Sequence, residues 1–168
     1  MSQPAAQPNP YAAPKAPVQD ADGPGGPAPA LWNPNAAANW SLLFTPAFGA
    51  YLHMANWRAI GDPARAKSSK TWFVVALVLL VLIVLIGAVA PETQAADIAS
   101  RGIGFGYLLA WYGISARPQA KYVKERWGKD YPRRGWGKPL MIAIVAYAAF
   151  IVVAIAVAYL ALRAQSVR

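Results

Sequence analysis

The sequence predicts an all-α integral membrane protein with three transmembrane helices plus a Pro-broken fourth membrane segment, arranged as two helical hairpins. Three observations predict this fold class. Hydrophobic residues make up 57% of the chain and charged residues only 14%, whereas soluble domains carry ~25% charged residues. The apolar residues are gathered in long uncharged runs. The basic residues are gathered between those runs, as expected at a membrane surface.

Residues 1–35 form a low-complexity tail with nine Pro, three Gly and almost no residue large enough to build a core. Such a segment cannot offset its ordering entropy, so we expect it to be disordered. It lacks the basic and apolar regions of a signal peptide. Its nearly neutral charge does not indicate on which side of a membrane it lies. The membrane domain is predicted to cover 36–164.

Three segments of this domain predict transmembrane helices. Segments 71–91 and 139–162 are uncharged and rich in Val, Leu, Ile and Ala, and each reaches the ~20 residues that a span needs. Segment 98–116 carries Arg101 in its first turn. A long basic side chain near a helix end can extend to the interface, and Asp97 lies four residues earlier, where it can pair with Arg101.

The fourth segment, 39–57, is uncharged and bracketed by Trp40 and Trp57. Their separation corresponds to ~25 Å of helix, which is close to the spacing of two interfacial aromatic belts. Pro46 and Gly49 interrupt its middle. A kinked span and a re-entrant hairpin both fit this pattern, and the sequence leaves the two alternatives open.

A short internal similarity favours two parallel hairpins. The stretch AFGAYLHMANW at 47–57 and the stretch GFGYLLAWY at 104–112 are each followed by a basic loop and then by a strongly apolar helix.

The loops between these segments predict the topology. Loop 58–70 has four bases and one acid, loop 91–97 has two acids and no base, and loop 117–138 has eight bases and two acids. Basic loops stay in the cytoplasm. We therefore expect 58–70 and 117–138 on the cytoplasmic side of a bacterial inner membrane, with 91–97 and the C-terminus outside.

The basic loop also holds the predicted binding residues. Residues 119–127 predict an amphipathic interfacial helix that ends at Gly128. Its Lys and Arg residues would face anionic headgroups, at ~1 kcal/mol each, so a nucleic-acid partner is not expected. Beyond orientation and anchoring, six residues are candidates for binding a lipid headgroup or an acidic partner: Lys121, Lys124, Arg126, Arg133, Arg134 and Lys138.

Small residues predict where helices pack. Gly102 and Gly106 form a GxxxG pattern, and Ala154 and Ala158 form a matching pattern on the last helix. Small side chains let membrane helices approach closely, so we expect these two faces to meet. The alternative is that the glycine face forms a homo-oligomer or binds another membrane protein.

The residue inventory predicts no enzyme. The chain has no Cys and one His, and the predicted spans contain no Asp or Glu. We therefore expect no catalytic, metal-binding or cofactor-binding residues and no cofactor. The missing acids also argue against a coupled transporter, which usually places acids near the midplane.

Two stretches resemble known proteins. NPYAAPKAPVQD at 9–20, with its N-P-Y-x-x-P leader, resembles small bacterial polytopic inner-membrane proteins of unknown function, and it is similar to the RDD family in the tail only. LWNPNAAANWSLLFTPAFGAYLHMANWRAIG at 31–61 resembles a Pro-broken first segment of some of these proteins. The resemblance implies a cytoplasmic tail and hence a re-entrant 39–57. The Arg-Asp-Asp residues of the RDD family are not found in the spans, so transport is not implied and no site residues transfer.

These observations favour a non-enzymatic membrane interaction or accessory protein, for example one that inhibits or gives immunity to a membrane-active toxin. The alternative is a small oligomeric channel or transporter, with His53 and Asn56 as pore residues. A membrane enzyme ranks third. The physiological process, the ligand and the oligomeric state stay open.

Overall fold

Helices make up nearly all of residues 27–89 and 93–166, the parts of the chain that the computed structural model describes. Helix α1 is Pro34–Phe44, α2 is Pro46–Ile60, α3 is Pro63–Val89 and α4 is Gln94–Trp111. A π-helical turn at Tyr112–Ala116 leads without a break into α5, Arg117–Trp127, and α6 is Gly137–Ser166. The predicted all-α class is confirmed for this part, and most of the predicted tail lies outside the described residues.

Helices α3 and α6 are the long apolar elements. Within the described residues, two stretches are long and apolar enough to cross a membrane, Pro63–Ala88 and Gly137–Ala164. The predicted third span, 98–116, is not confirmed as one of them. It lies in the continuous helical run from Gln94 to Trp127.

Helix α3 begins eight residues before the predicted span at 71–91. Pro63 suits a first helical position because its missing N–H needs no partner there, and Asp62 accepts a hydrogen bond from the backbone N–H of Arg65 at 2.9 Å. Most of the basic residues predicted for loop 58–70 therefore lie on the first turns of α3. Gly61, with φ +83°, makes the tight turn from α2.

Helices α1 and α2 form an antiparallel hairpin. At its open end the backbone of Trp32 bonds to the side chain of Asn56. Its closed end is the break at Thr45 between the two helices. With 11 and 15 residues, the helices are only ~16 Å and ~22 Å long, so neither matches a bilayer core of ~30 Å. Segment 39–57 is thus a hairpin rather than one kinked helix, and the arrangement of four spans as two hairpins is not confirmed.

The hairpin packs into the half of the molecule that carries the basic loop. Rings of α3 and α4 meet there, with Trp72 and Tyr107 centroids 5.4 Å apart. Trp111 lies fully buried under the hairpin. Beyond the hairpin tip, most large apolar side chains of α3, α4 and α6 are exposed. One half of the molecule is therefore closely packed, and the other half presents apolar surface.

Thr45 at the hairpin tip has a strained backbone. Its φ of 79° and ψ of 157° lie in a region that is populated almost only by Gly. We expect Thr45→Gly to raise the free energy of unfolding by about 1 kcal/mol, because relief of the strain outweighs the added chain entropy of Gly. Thr45→Ala is the matched control and should give no such gain. Detergent unfolding curves measure both, and equal stability of the two variants would contradict the strain.

Candidate functional site

A buried hydrogen-bond network fastens the hairpin to α5. Asn56 accepts the Trp32 backbone N–H at 3.0 Å and donates to the Trp32 carbonyl at 2.8 Å. The same side-chain amide donates to Oε1 of Gln119 at 3.2 Å. Gln119 in turn donates to the His53 carbonyl at 2.8 Å. Asn56, Gln119 and His53 are all fully buried, so the network fixes the hairpin inside the protein.

The His53 ring lies within the same interior. Its Nε2 is 3.3 Å from the Pro34 carbonyl oxygen, and because a carbonyl only accepts, Nε2 carries the proton. The ring meets Trp111 edge to face, with centroids 5.6 Å apart. Within the described structure, His53 Nδ1 and Trp111 Nε1 are buried without a hydrogen-bond partner. His53 and Asn56, the predicted pore residues, therefore lie in a packed interior.

The loop between α5 and α6 is held in place by the chain just before α1. Leu31 donates to the Pro132 carbonyl and accepts from the Arg134 N–H, both at 2.9 Å. The Trp32 indole donates to the Gly135 carbonyl at 3.1 Å. Leu31 is fully buried. The end of the predicted disordered tail is thus ordered, because one large apolar side chain and a short backbone pairing anchor it.

Cations of this region stack on aromatic rings. The Arg65 guanidinium lies 4.8 Å from the Trp57 ring centroid and 5.0 Å from that of Tyr122. Arg126 donates to the Tyr122 hydroxyl at 2.9 Å. Arg134 lies 4.7 Å above the Trp32 ring. We call α5, the following loop to Lys138 and residues 31–32 the basic platform.

The basic platform carries an excess of positive charge. Of the six predicted binding residues, Lys121 pairs with Glu125 at 3.7 Å. The other five have no ion-pair partner among the described residues: Lys124, Arg126, Arg133, Arg134 and Lys138. The predicted end of α5 is confirmed, because Gly128 at φ 62° follows its last residue. Burial raises the pKa of the Tyr131 phenol, and the charge of Arg133 opposes this rise, so Tyr131 stays neutral at pH 7.

A groove of about 630 Å³ lies between the hairpin tip, α3 and α6. It starts at the platform, where Trp32 and Lys138 line it, and extends along α6 as far as Phe150. Twelve residues of helix correspond to a length of ~18 Å. The remaining lining residues are mostly apolar or aromatic: Phe44, Thr45, Ala47, Phe48, Tyr51, Phe73, Leu77, Leu80, Pro139, Ile142, Ala143, Ala146 and Tyr147.

The small-residue faces are not in contact at the predicted glycines. A Cβ built at Gly102 or Gly106 would have no described atom within 4 Å. Ala158 is exposed and Ala154 is half-buried. The predicted packing of the two faces against each other is therefore not formed at the glycines, which leaves the glycine face uncovered. A role in assembly stays a prediction.

Sequence reasoning missed several residues of these sites. Gln119, Trp32 and Leu31 were not predicted as contact residues, because their partners lie far away along the chain. One signal in the sequence pointed to Gln119. It lies four positions before the apolar Val123, on the same face of α5, and a polar side chain buried on that face needs a hydrogen-bond partner.

Comparison with known proteins adds no relative. No protein-family model matches the chain, and neither the curated proteins nor the solved structures give a match. The resemblance to small bacterial inner-membrane proteins stays a prediction.

Proposed function

We propose that this chain is a non-enzymatic integral protein of the bacterial inner membrane and that it works as an interaction or accessory protein through its basic platform. Helices α3 and α6 supply two apolar elements of membrane-crossing length. In this proposal they and segment 98–116 cross the membrane, and the hairpin enters it from the cytoplasmic side. An inhibitor or immunity protein is one form of this function.

The fixed geometry of the basic platform carries the proposal. Orientation in a membrane needs only an excess of Lys and Arg in a loop, wherever the side chains point. Here the cations have defined positions. Arg65 and Arg126 stack on aromatic rings of the platform, and Arg134 stacks on Trp32. Arg and aromatic residues are both enriched at protein interfaces, so the positively charged platform suits an acidic protein partner.

The hairpin interior offers less support for a channel. His53 and Asn56 motivate that alternative, and both are fully buried. Their hydrogen bonds go to other parts of the same chain. Reconstituted liposomes that leak ions or small solutes, and stop leaking with His53→Ala, would overturn the accessory role.

A photo-crosslinking amino acid at Lys124, an exposed platform position, tests the proposal in cells. We expect a discrete adduct with a protein at this position. The combined changes Lys121→Glu and Arg126→Glu should weaken the adduct about tenfold or more, because facing like charges cost several kcal/mol. The matched control is Val78, which is exposed on α3 and should give no protein adduct. Equal adducts at both positions, or an adduct that survives charge reversal, would contradict the proposal.

A further inference from the structure

We propose that the groove between the hairpin tip, α3 and α6 binds one acyl chain of an anionic phospholipid from the cytoplasmic leaflet, with the phosphate at Lys138. This inference rests on the membrane position in the proposed function, and it is independent of the acidic partner.

The lining of the groove is suited to a hydrocarbon chain with one charged end. Lys138 is the only charged residue among the residues that line it. The walls are otherwise almost entirely apolar, which excludes a polar solute from most of the groove. The volume of about 630 Å³ lies within the ~300–1,000 Å³ range of ligand pockets.

The charged end of the groove lies at the platform. Lys138 is exposed and has no ion-pair partner within the described residues. Trp32 lines the same end of the groove, and the Arg134 guanidinium lies 4.7 Å from the centroid of the Trp32 ring. A phosphate at Lys138 would therefore have a second cation nearby. Arg and Lys are the usual ligands of phosphate.

The length of the groove matches one leaflet. From Lys138 to Phe150 it follows α6 for ~18 Å, and half of a ~30 Å hydrocarbon core is ~15 Å. An acyl chain entering beside Lys138 would therefore end near the bilayer centre. Residues of the short hairpin line the groove together with residues of α3 and α6.

The floor of the groove is formed in advance by aromatic contacts. Phe44 meets Phe48 edge to face at 5.5 Å and Tyr147 edge to face at 6.5 Å. Thr45, whose backbone is strained, lies between the two phenylalanines and also lines the groove. Strain of this kind is retained where the surrounding structure enforces it, often at ligand sites.

Native mass spectrometry of the purified full chain tests the proposal, with phosphatidylglycerol and phosphatidylcholine of the same acyl chains as probes. We expect one phosphatidylglycerol per protein bound at least about fivefold more tightly than phosphatidylcholine, because one basic residue contributes ~1 kcal/mol towards anionic lipid. Lys138→Gln should remove most of this preference. Lys129→Gln, also on the platform but outside the groove lining, is the matched control and should keep it.

A second pair of variants tests the chain site itself. Ala146 is exposed and lines the groove, so Ala146→Trp fills the groove without disturbing buried packing. It should abolish the single tight lipid, whereas Ala149→Trp, exposed on the same helix and outside the lining, should not. Unchanged binding with Ala146→Trp would overturn the groove as the site. Equal binding of the two lipids would overturn the preference for a net anionic headgroup at Lys138, because both lipids carry a phosphate and only phosphatidylcholine also carries a cation. Oleate that competes as well as phosphatidylglycerol would assign the site to a free fatty acid instead.

These outcomes are separate from those of the partner proposal. The adduct at Lys124 does not depend on Ala146. If no protein adduct forms at Lys124 but the single tight phosphatidylglycerol is found, the acidic partner alone is overturned. If the adduct forms but no tight lipid is found, the groove alone is overturned.

Discussion

Gly49→Ala is expected to lower the free energy of unfolding by about 3 kcal/mol. A Cβ at Gly49 would lie 2.5 Å and 2.8 Å from two ring atoms of Trp111 and would overlap Ser41 Oγ as well. Trp111 is fully buried and cannot move aside. Overpacking of this kind costs ~1–3 kcal/mol, and the displaced Ser41 hydroxyl loses its bond to the Ala37 carbonyl, which adds ~1 kcal/mol. The better helix propensity of Ala stabilises the variant by ~1 kcal/mol and offsets part of this loss.

Equilibrium unfolding in mixed micelles, followed by circular dichroism, measures this loss. Gly87→Ala is the matched control, because Gly87 is in an apolar helix with nothing within 4 Å of its added Cβ. It should be neutral or slightly stabilising. Trp111→Phe lacks the clashing ring atoms and should recover part of the loss in the Gly49→Ala background. Equal stability of the Gly49 and Gly87 variants would show that the hairpin does not pack as described.

Asn56→Leu should also destabilise the protein by about 3 kcal/mol, through a different cause. The change removes the partner of both backbone groups of Trp32 and of Gln119 Oε1. A buried polar group that loses its partner costs ~1–3 kcal/mol. Trp32 is only half-buried, so water can replace part of its lost hydrogen bonding. The total cost of the three unpaired groups therefore stays near the lower end of their summed range, at about 3 kcal/mol.

The same unfolding measurement tests this loss, with Asn39→Leu as the control. Asn39 is exposed on α1, so its substitution should alter the free energy of unfolding by no more than ~0.5 kcal/mol. A double-mutant cycle with Gln119→Leu should show a coupling of about 1 kcal/mol, because the second change removes the acceptor that the first left unpaired. Additive effects would mean that the Asn56–Gln119 contact does not form.

The elements that composition specifies were predictable. Helices α3 and α6 follow from uncharged apolar runs, since only a helix satisfies its own backbone in an apolar medium. Gly128 was predictable as the end of α5 because a helix end often needs positive φ. The start of α3 at Pro63 was not predictable from hydropathy. Hydropathy indicates whether a residue suits water or an apolar medium, and it does not indicate where a helix begins. The segment ARAKSSK at 64–70 is polar and helical at once.

The residues of segment 39–57 do not by themselves determine whether it is a kinked span or a hairpin. Pro46 indicates a break in the helix, and it does not indicate whether the second half continues in the same direction or turns back. That choice depends on Asn56 and Gln119, which are 63 residues apart. Leu31 was assigned to the tail because it is one large residue in a run of Pro and Ala, and its burial depends on Pro132 and Arg134. Contacts between such distant residues leave no periodic signal in the sequence.

The basic platform also determines when the hairpin can be completed during synthesis. Its closing contacts join Trp32 to Gly135, 103 residues later, and His53 to Gln119, 66 residues later. The ribosome releases the hairpin long before either partner exists. Long-range contacts form late because loop closure must precede them. The first helices to emerge among the described residues are therefore the last to be locked, and a chain that stops before Gln119 lacks both of these contacts.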